Sequence, residues 1–129
     1  MSQLPTILAI ALGGAIGAVA RWAISNGVHR CTGIMGIPVG TFIVNMVGCV
    51  AIGFCYIYFQ NRGSDLHRSF LSIGFIGALT TFSTYSIESI ELLQRGCYGY
   101  AAANLIASVV LGLGCAVLGM ALGRLVTGS

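Results

Sequence analysis

The sequence predicts an all-α integral membrane protein of four spans, the third broken near the middle of the bilayer. Three observations carry this expectation. Charged residues make up only 7% of the 129-residue chain and hydrophobic ones 57%, with a mean hydropathy of +0.94; a water-soluble domain is about a quarter charged. Four apolar stretches each reach the roughly 20 residues that a bilayer core demands. Within the third, glycines and a run of hydroxyl side chains interrupt the apolar sequence. Little lies outside these stretches, so residues 1–129 form one membrane domain with the lipid bilayer as its solvent.

The first helix is expected over residues 6–24. It is read as retained in the protein rather than as a secretory signal, because no Lys or Arg precedes it and Arg21 lies inside its C-terminal end. Gly13 and Gly17 form a GxxxG pair that lets another helix approach closely. Arg21 is expected within about a turn of the helix end by the 1.5 Å rise per residue. Two roles stay open for it: an anion-attracting charge at a vestibule, or a side chain that snorkels to the interface.

The second helix is expected over residues 37–59, opening at Gly36-Ile37-Pro38-Val39-Gly40-Thr41. Thr41 and Asn45 are four apart and share a face. An amide at the bilayer midplane is expensive unless something bonds it. Asn45 either offers two N–H groups to a permeating anion or hydrogen-bonds a neighbouring helix.

The third segment, residues 70–93, runs Ser72-Ile-Gly74-Phe-Ile-Gly77-Ala-Leu-Thr80-Thr81-Phe82-Ser83-Thr84-Tyr85-Ser86. Glycine and β-branched threonine weaken a helix, and non-helical backbone at membrane depth survives only where it is buried or lines a cavity. A break is therefore expected near Gly77–Thr81. Freed carbonyls there suit a cation; hydroxyls and helix N-terminal N–H groups suit an anion. Hydroxyls bonding back to their own helix account for one or two such residues but poorly for six. Glu88 and Glu91, late in the segment, are expected to reach the interface. The fourth helix, residues 98–126, carries Tyr100, Asn104 and Ser108 at four-residue spacing, followed by Gly112. This polar stripe suits either a water-lined path or interhelical glue.

The net charge of +3 comes from six arginines, no lysine and three acids, too few for a nucleic-acid surface. With four spans, Arg62, Arg68 and Arg124 fall on one side, and Arg30, Arg95 and Arg21 on the other. Orientation normally follows an excess of basic residues in cytoplasmic loops, and three against three leaves none. Either a folding detail sets the orientation, or copies insert both ways and pair antiparallel. The second option supplies between chains the inverted symmetry that many transporters carry within one. The five cysteines contain no CxxC pair, which argues against a metal or disulfide framework. No nucleotide-binding motif is present, and no acid stands in the first, second or fourth helix for a proton relay. These absences leave passive movement of a small ion as the default and give no sign of an enzyme.

Taken in order, Gly13-Gly14-Ala-Ile-Gly17-Ala-Val-Ala-Arg21, Gly40-Thr41-Phe-Ile-Val-Asn45-Met-Val-Gly48, Gly74-Phe-Ile-Gly77-Ala-Leu-Thr80-Thr81-Phe82-Ser83-Thr84 and the Asn104/Ser108 stripe resemble the Fluc (CrcB) fluoride ion channels. The threonine–phenylalanine–serine–threonine run is the specific element. The resemblance implies a dual-topology antiparallel homodimer in the bacterial inner membrane. It implies two fluoride pores and a structural sodium ion at the dimer axis, held by the main-chain carbonyls of Gly77 and Thr80. It places Asn45 in the pore and the ring edges of Phe82 and Tyr85 against fluoride. Thr41, Ser83 and Thr84 supply hydroxyls near them, and Tyr100 and Ser108 the fourth-helix track. The family usually has phenylalanine where this chain has Tyr85. A tyrosine keeps most of the positive ring edge and adds a hydroxyl that narrows the pore or donates to the anion. Neutral, distributed partners of this kind can replace an anion's hydration and still release it. The rivals are a small proton-coupled multidrug exporter, which needs an acid in the first helix, and a membrane scaffold subunit, which needs no polar midplane.

Overall fold

The computed structural model describes residues 3–32 and 37–128, so the Gly36 at the expected opening of the second helix lies outside the described residues. The same holds for the side chain of Cys31. The elements are α1 (Leu4–Thr32), α2 (Val39–Asn61), α3 (Asp65–Arg68), a π-helical segment (Ser69–Ile76), α4 (Gly77–Leu79), α5 (Phe82–Gln94) and α6 (Tyr98–Thr127). Four helical stretches are long and apolar enough to cross a bilayer: Leu4–Val28, Val39–Gln60, Asp65–Gln94 and Tyr98–Thr127. The third comprises α3, the π-helical segment, α4 and α5. The chain is a multi-pass membrane protein.

α1 runs on to Thr32 rather than ending at residue 24. No proline interrupts it, and the single glycine in its added part, Gly27, has open space around it. At 29 residues it is about 43 Å long, more than the hydrocarbon core is thick. Arg21 therefore lies some three turns before the helix end, which corrects its expected place within a turn of it; the side chain is half-buried. Arg30, expected in a loop, is helical.

The interior is built from small residues, as expected where lipid removes the incentive to bury large apolar groups and close backbone contact drives association. A Cβ on Gly13 would run into the Phe70 carbonyl, and one on Gly17 into that of Phe75. The GxxxG pair is thus the surface on which α1 meets the π-helical segment. Gly53 meets the Ala116 carbonyl and Gly119 the Val50 carbonyl in the same way, which joins α2 to α6. Val44, Ile76, Leu79, Leu92 and Ala101 complete the core, while Leu8, Leu12, Val19, Leu113 and Val117 point outward.

The third span departs from a plain helix twice. Ser69–Ile76 closes i→i+5, a form normally confined to single turns and often found at functional sites. The chain then leaves the helix at Thr80 (φ −79°, ψ 155°) and Thr81 (φ −149°, ψ 118°), both extended, before α5 begins. The break therefore falls at the C-terminal end of the stretch expected for it. α5 ends in a Schellman turn. Gly96 adopts φ +75°, its N–H bonds Leu93 O at 3.0 Å, and the N–H of Cys97 bonds Leu92 O at 2.9 Å.

Candidate functional site

The break leaves backbone groups without helical partners at membrane depth, and side chains from two elements claim them. Thr81 caps α5: its Oγ1 accepts from the N–H of Thr84 at 3.2 Å. The same hydroxyl donates to Thr84 Oγ1 at 3.0 Å and lies 3.3 Å from Ser83 Oγ. Asn45, from α2, closes on the main chain of Thr81 from the other side. Its Nδ2 donates to Thr81 O at 3.1 Å, and its Oδ1 accepts from Thr81 N at 2.8 Å. A primary amide has two N–H donors, so one is committed to the break and only one remains for an anion, not two. Asn45 thus takes the helix-bonding role with most of its capacity.

These bonds redirect two amides. In a continuous α-helix the N–H of Thr81 would close on the Gly77 carbonyl and that of Thr84 on the Thr80 carbonyl. Here the first goes to Asn45 Oδ1 and the second to Thr81 Oγ1. Both carbonyls have lost their helical donors.

A groove of about 380 Å³ opens beside the break. It brings together Asn45, Gly77, Thr80, Phe82, Tyr85 and Ser108 from four separate elements. The Phe82 ring is 80% exposed within the single chain and stands 5.6 Å, centre to centre, from the Tyr85 ring at an angle of 44°. The Tyr85 phenol donates to Leu105 O at 3.4 Å, a long bond that turns the hydroxyl toward α6.

The other expected site residues lie elsewhere. Thr41 is buried and donates to Glu88 Oε1 at 2.7 Å, a charge-assisted length when the acceptor is a carboxylate. Ser83 and Thr84 belong to the cap of α5 and do not line the groove. Tyr100 is exposed on the first turns of α6, and Arg21 sits on α1 away from the groove. The polar stripe of α6 is divided: Ser108 lines the groove, while Asn104 donates to Ser89 Oγ at 2.9 Å as interhelical glue.

The hydroxyl run divides between back-bonding and the cap of α5. Thr80 bonds back to Ile76 O at 3.2 Å and Ser86 to Phe82 O at 2.8 Å, the one or two back-bonded residues expected of the run; beyond it, Ser89 does the same to Tyr85 O at 2.8 Å. The cap absorbs Thr81, Ser83 and Thr84. Glu88 is half-buried against α2, where it accepts from Thr41, whereas Glu91 is exposed and pairs with Arg95 at 3.6 Å. Glu88 and Thr81 were the residues missed. An acid inside an apolar span is itself a signal of a buried partner, and a Thr ahead of a hydroxyl-rich turn is a signal of a cap.

Residues 8–120 match the family described as CrcB-like protein, Camphor Resistance (CrcB). Three curated relatives span nearly the whole chain. The Fluoride-specific ion channel FluC of Magnetococcus marinus is 40% identical over 119 residues, covering 91% of this chain and 96% of the relative. That of Coxiella burnetii (strain CbuK_Q154) is 42% identical over 121 residues, covering 92% and 97%. That of Campylobacter jejuni (strain RM1221) is 44% identical over 118 residues, covering 91% and 96%.

Proposed function

The chain belongs to the CrcB-like family, and from that premise we propose that it is a passive fluoride-specific ion channel that lets fluoride out of a bacterial cell across its inner membrane and so relieves fluoride toxicity. The observation that carries this is the meeting of Asn45, Phe82, Tyr85 and Ser108 at the break of the third span. A small, strongly hydrated anion must exchange water for donors, yet leave again. The remaining Asn45 N–H, the Ser108 hydroxyl and the positive edges of two rings are neutral partners along one groove, and none would trap the ion as a buried cation would. The relatives reported above are fluoride channels by name and lend no support to an exporter or a scaffold.

The working unit is an antiparallel homodimer of copies inserted in both orientations, as the balanced arginines favour. The 80% exposed Phe82 ring needs a cover that one chain does not provide. A second copy, turned over, provides it and builds two pores. A sodium ion at the two-fold axis would be held by the Gly77 and Thr80 carbonyls, whose helical donors are bonded elsewhere. Those oxygens suit a hard cation. Bound there, sodium offsets carbonyl dipoles that face one another across the axis.

The direct test is efflux from liposomes containing the purified protein, read with a fluoride electrode in parallel with a chloride electrode. Fluoride release with little chloride release is expected. Equal release of both anions, or of neither, would sink the proposal.

A further inference from the structure

A second cavity, of about 310 Å³, lies at the end of the bundle where α2 finishes and α3 passes into the π-helical segment. Its walls include Tyr56 and Gln60 of α2 and Arg68 of α3. Ile52 and Ser72 line both this cavity and the groove at the break. The two spaces therefore adjoin, one on each side of these residues.

Two walls of the combined space follow single helical faces, and α5 and α6 close it beside the break. On α2, Asn45, Gly48, Ile52, Tyr56 and Gln60 follow one another at spacings of three and four, which is one side of an α-helix. On the third span, Arg68, Ser72 and Gly77 are four and five apart, the spacings that a helix closed by i→i+5 bonds brings into line. The lane runs from a guanidinium at the membrane edge, past the Gln60 amide and the Ser72 hydroxyl, to the break. Arg68 is exposed and enters no ion pair among the described residues, so its charge is offered to the mouth.

We propose that fluoride reaches the groove along this lane and that Arg68 is the positioning cation that gathers the anion at its mouth. The proposal rests on the fluoride-channel reading and adds to it the direction of approach and the residue that sets the capture rate. Arg21 does not fill this place, because it lies on α1 and lines neither space. Steering by a surface charge raises the arrival rate of an oppositely charged ion and fades as salt screens it. Packing by the same side chain has no such salt dependence.

The test is fluoride efflux from liposomes of wild type, Arg68→Gln and Arg68→Lys, at low and at high ionic strength. Size-exclusion chromatography reports whether each variant keeps its assembly. At about 20 mM salt Arg68→Gln is expected to run roughly three- to fivefold slower than wild type, and at about 300 mM less than twofold slower. Arg68→Lys keeps the charge and is expected to stay within about twofold of wild type at both. Arg68→Gln running at the wild-type rate at both salts overturns the route. So does an equal loss at both salts that Arg68→Lys fails to restore. Wild type that releases no fluoride overturns the fluoride reading, and the route with it.

Discussion

At the scale of the residue, Asn45 and Phe82 show how far a site can be read from type and position. That Asn45 must bond something was legible, because an amide at membrane depth cannot go without partners. Which partner it takes was not, since that depends on where the third span opens, and Thr81 presents both its N–H and its carbonyl to one amide. Asn45→Ala is expected to leave both groups short of partners at about 1–3 kcal/mol each and to suppress flux together with thermal stability in detergent. Phe82 should behave differently. Its ring is 80% exposed within the chain, so Phe82→Ile should change the stability of the single chain by less than about 1 kcal/mol. It should also sharply reduce fluoride efflux while the proposed dimer persists on size exclusion, because an aliphatic group has no positive edge. A dimeric Phe82→Ile protein that conducts like wild type would make the ring a packing group.

At the scale of the element, the four spans and the break could be read from apolar length and from the cluster of glycine and hydroxyl residues. The π-helical segment could not. Ser-Phe-Leu-Ser-Ile-Gly-Phe-Ile is apolar almost throughout, and a stretch without a polar face has no periodicity from which to tell i→i+5 from i→i+4. The GxxxG pair signalled a close contact without naming its partner, which is the Phe70–Phe75 backbone of that same segment. Gly17→Val should therefore act on the third span from a distance. The added side chain would collide with the Phe75 carbonyl, and overpacking of this kind typically costs about 1–3 kcal/mol. A lower melting temperature and lost flux are expected, with the Gly27→Ala variant, whose glycine has open space around it, as the unaffected control. Equal stability of the two variants would show that α1 does not hold the segment in place.

At the scale of the whole molecule, insertion follows the arginine count. Arg62, Arg68 and Arg124 stand against Arg30 and Arg95, with Arg21 about three turns inside α1, so at most one arginine favours either orientation, and dual insertion is the outcome proposed for so weak a bias. A reporter fused to the C-terminus is expected to signal from both compartments. Two or three lysines added between residues 60 and 69 should fix one orientation and depress efflux, since each copy would then lack opposed partners. A signal from one side only, with full activity in the unmodified protein, would refute dual insertion. The arginine count was legible in the sequence, whereas which outward leucines the proposed second copy would cover was not, because a lipid-facing leucine and a dimer-facing one would read alike.

The π-helical stretch also bears on how this family member can change in length. A helix closed by i→i+5 bonds takes up more residues for the same height than one closed by i→i+4, so Ser69–Ile76 holds chain in reserve. Loss of one residue there can be absorbed by rewinding a turn as α-helix, which keeps the capped break at its depth while the Phe70 and Phe75 backbone that meets Gly13 and Gly17 re-registers. The same loss within α2 finds no reserve. A loss ahead of Asn45 would turn that side chain by about 100° relative to the rest of α2 and carry it off the Thr81 backbone, so a single-residue deletion costs less within Ser69–Ile76 than there.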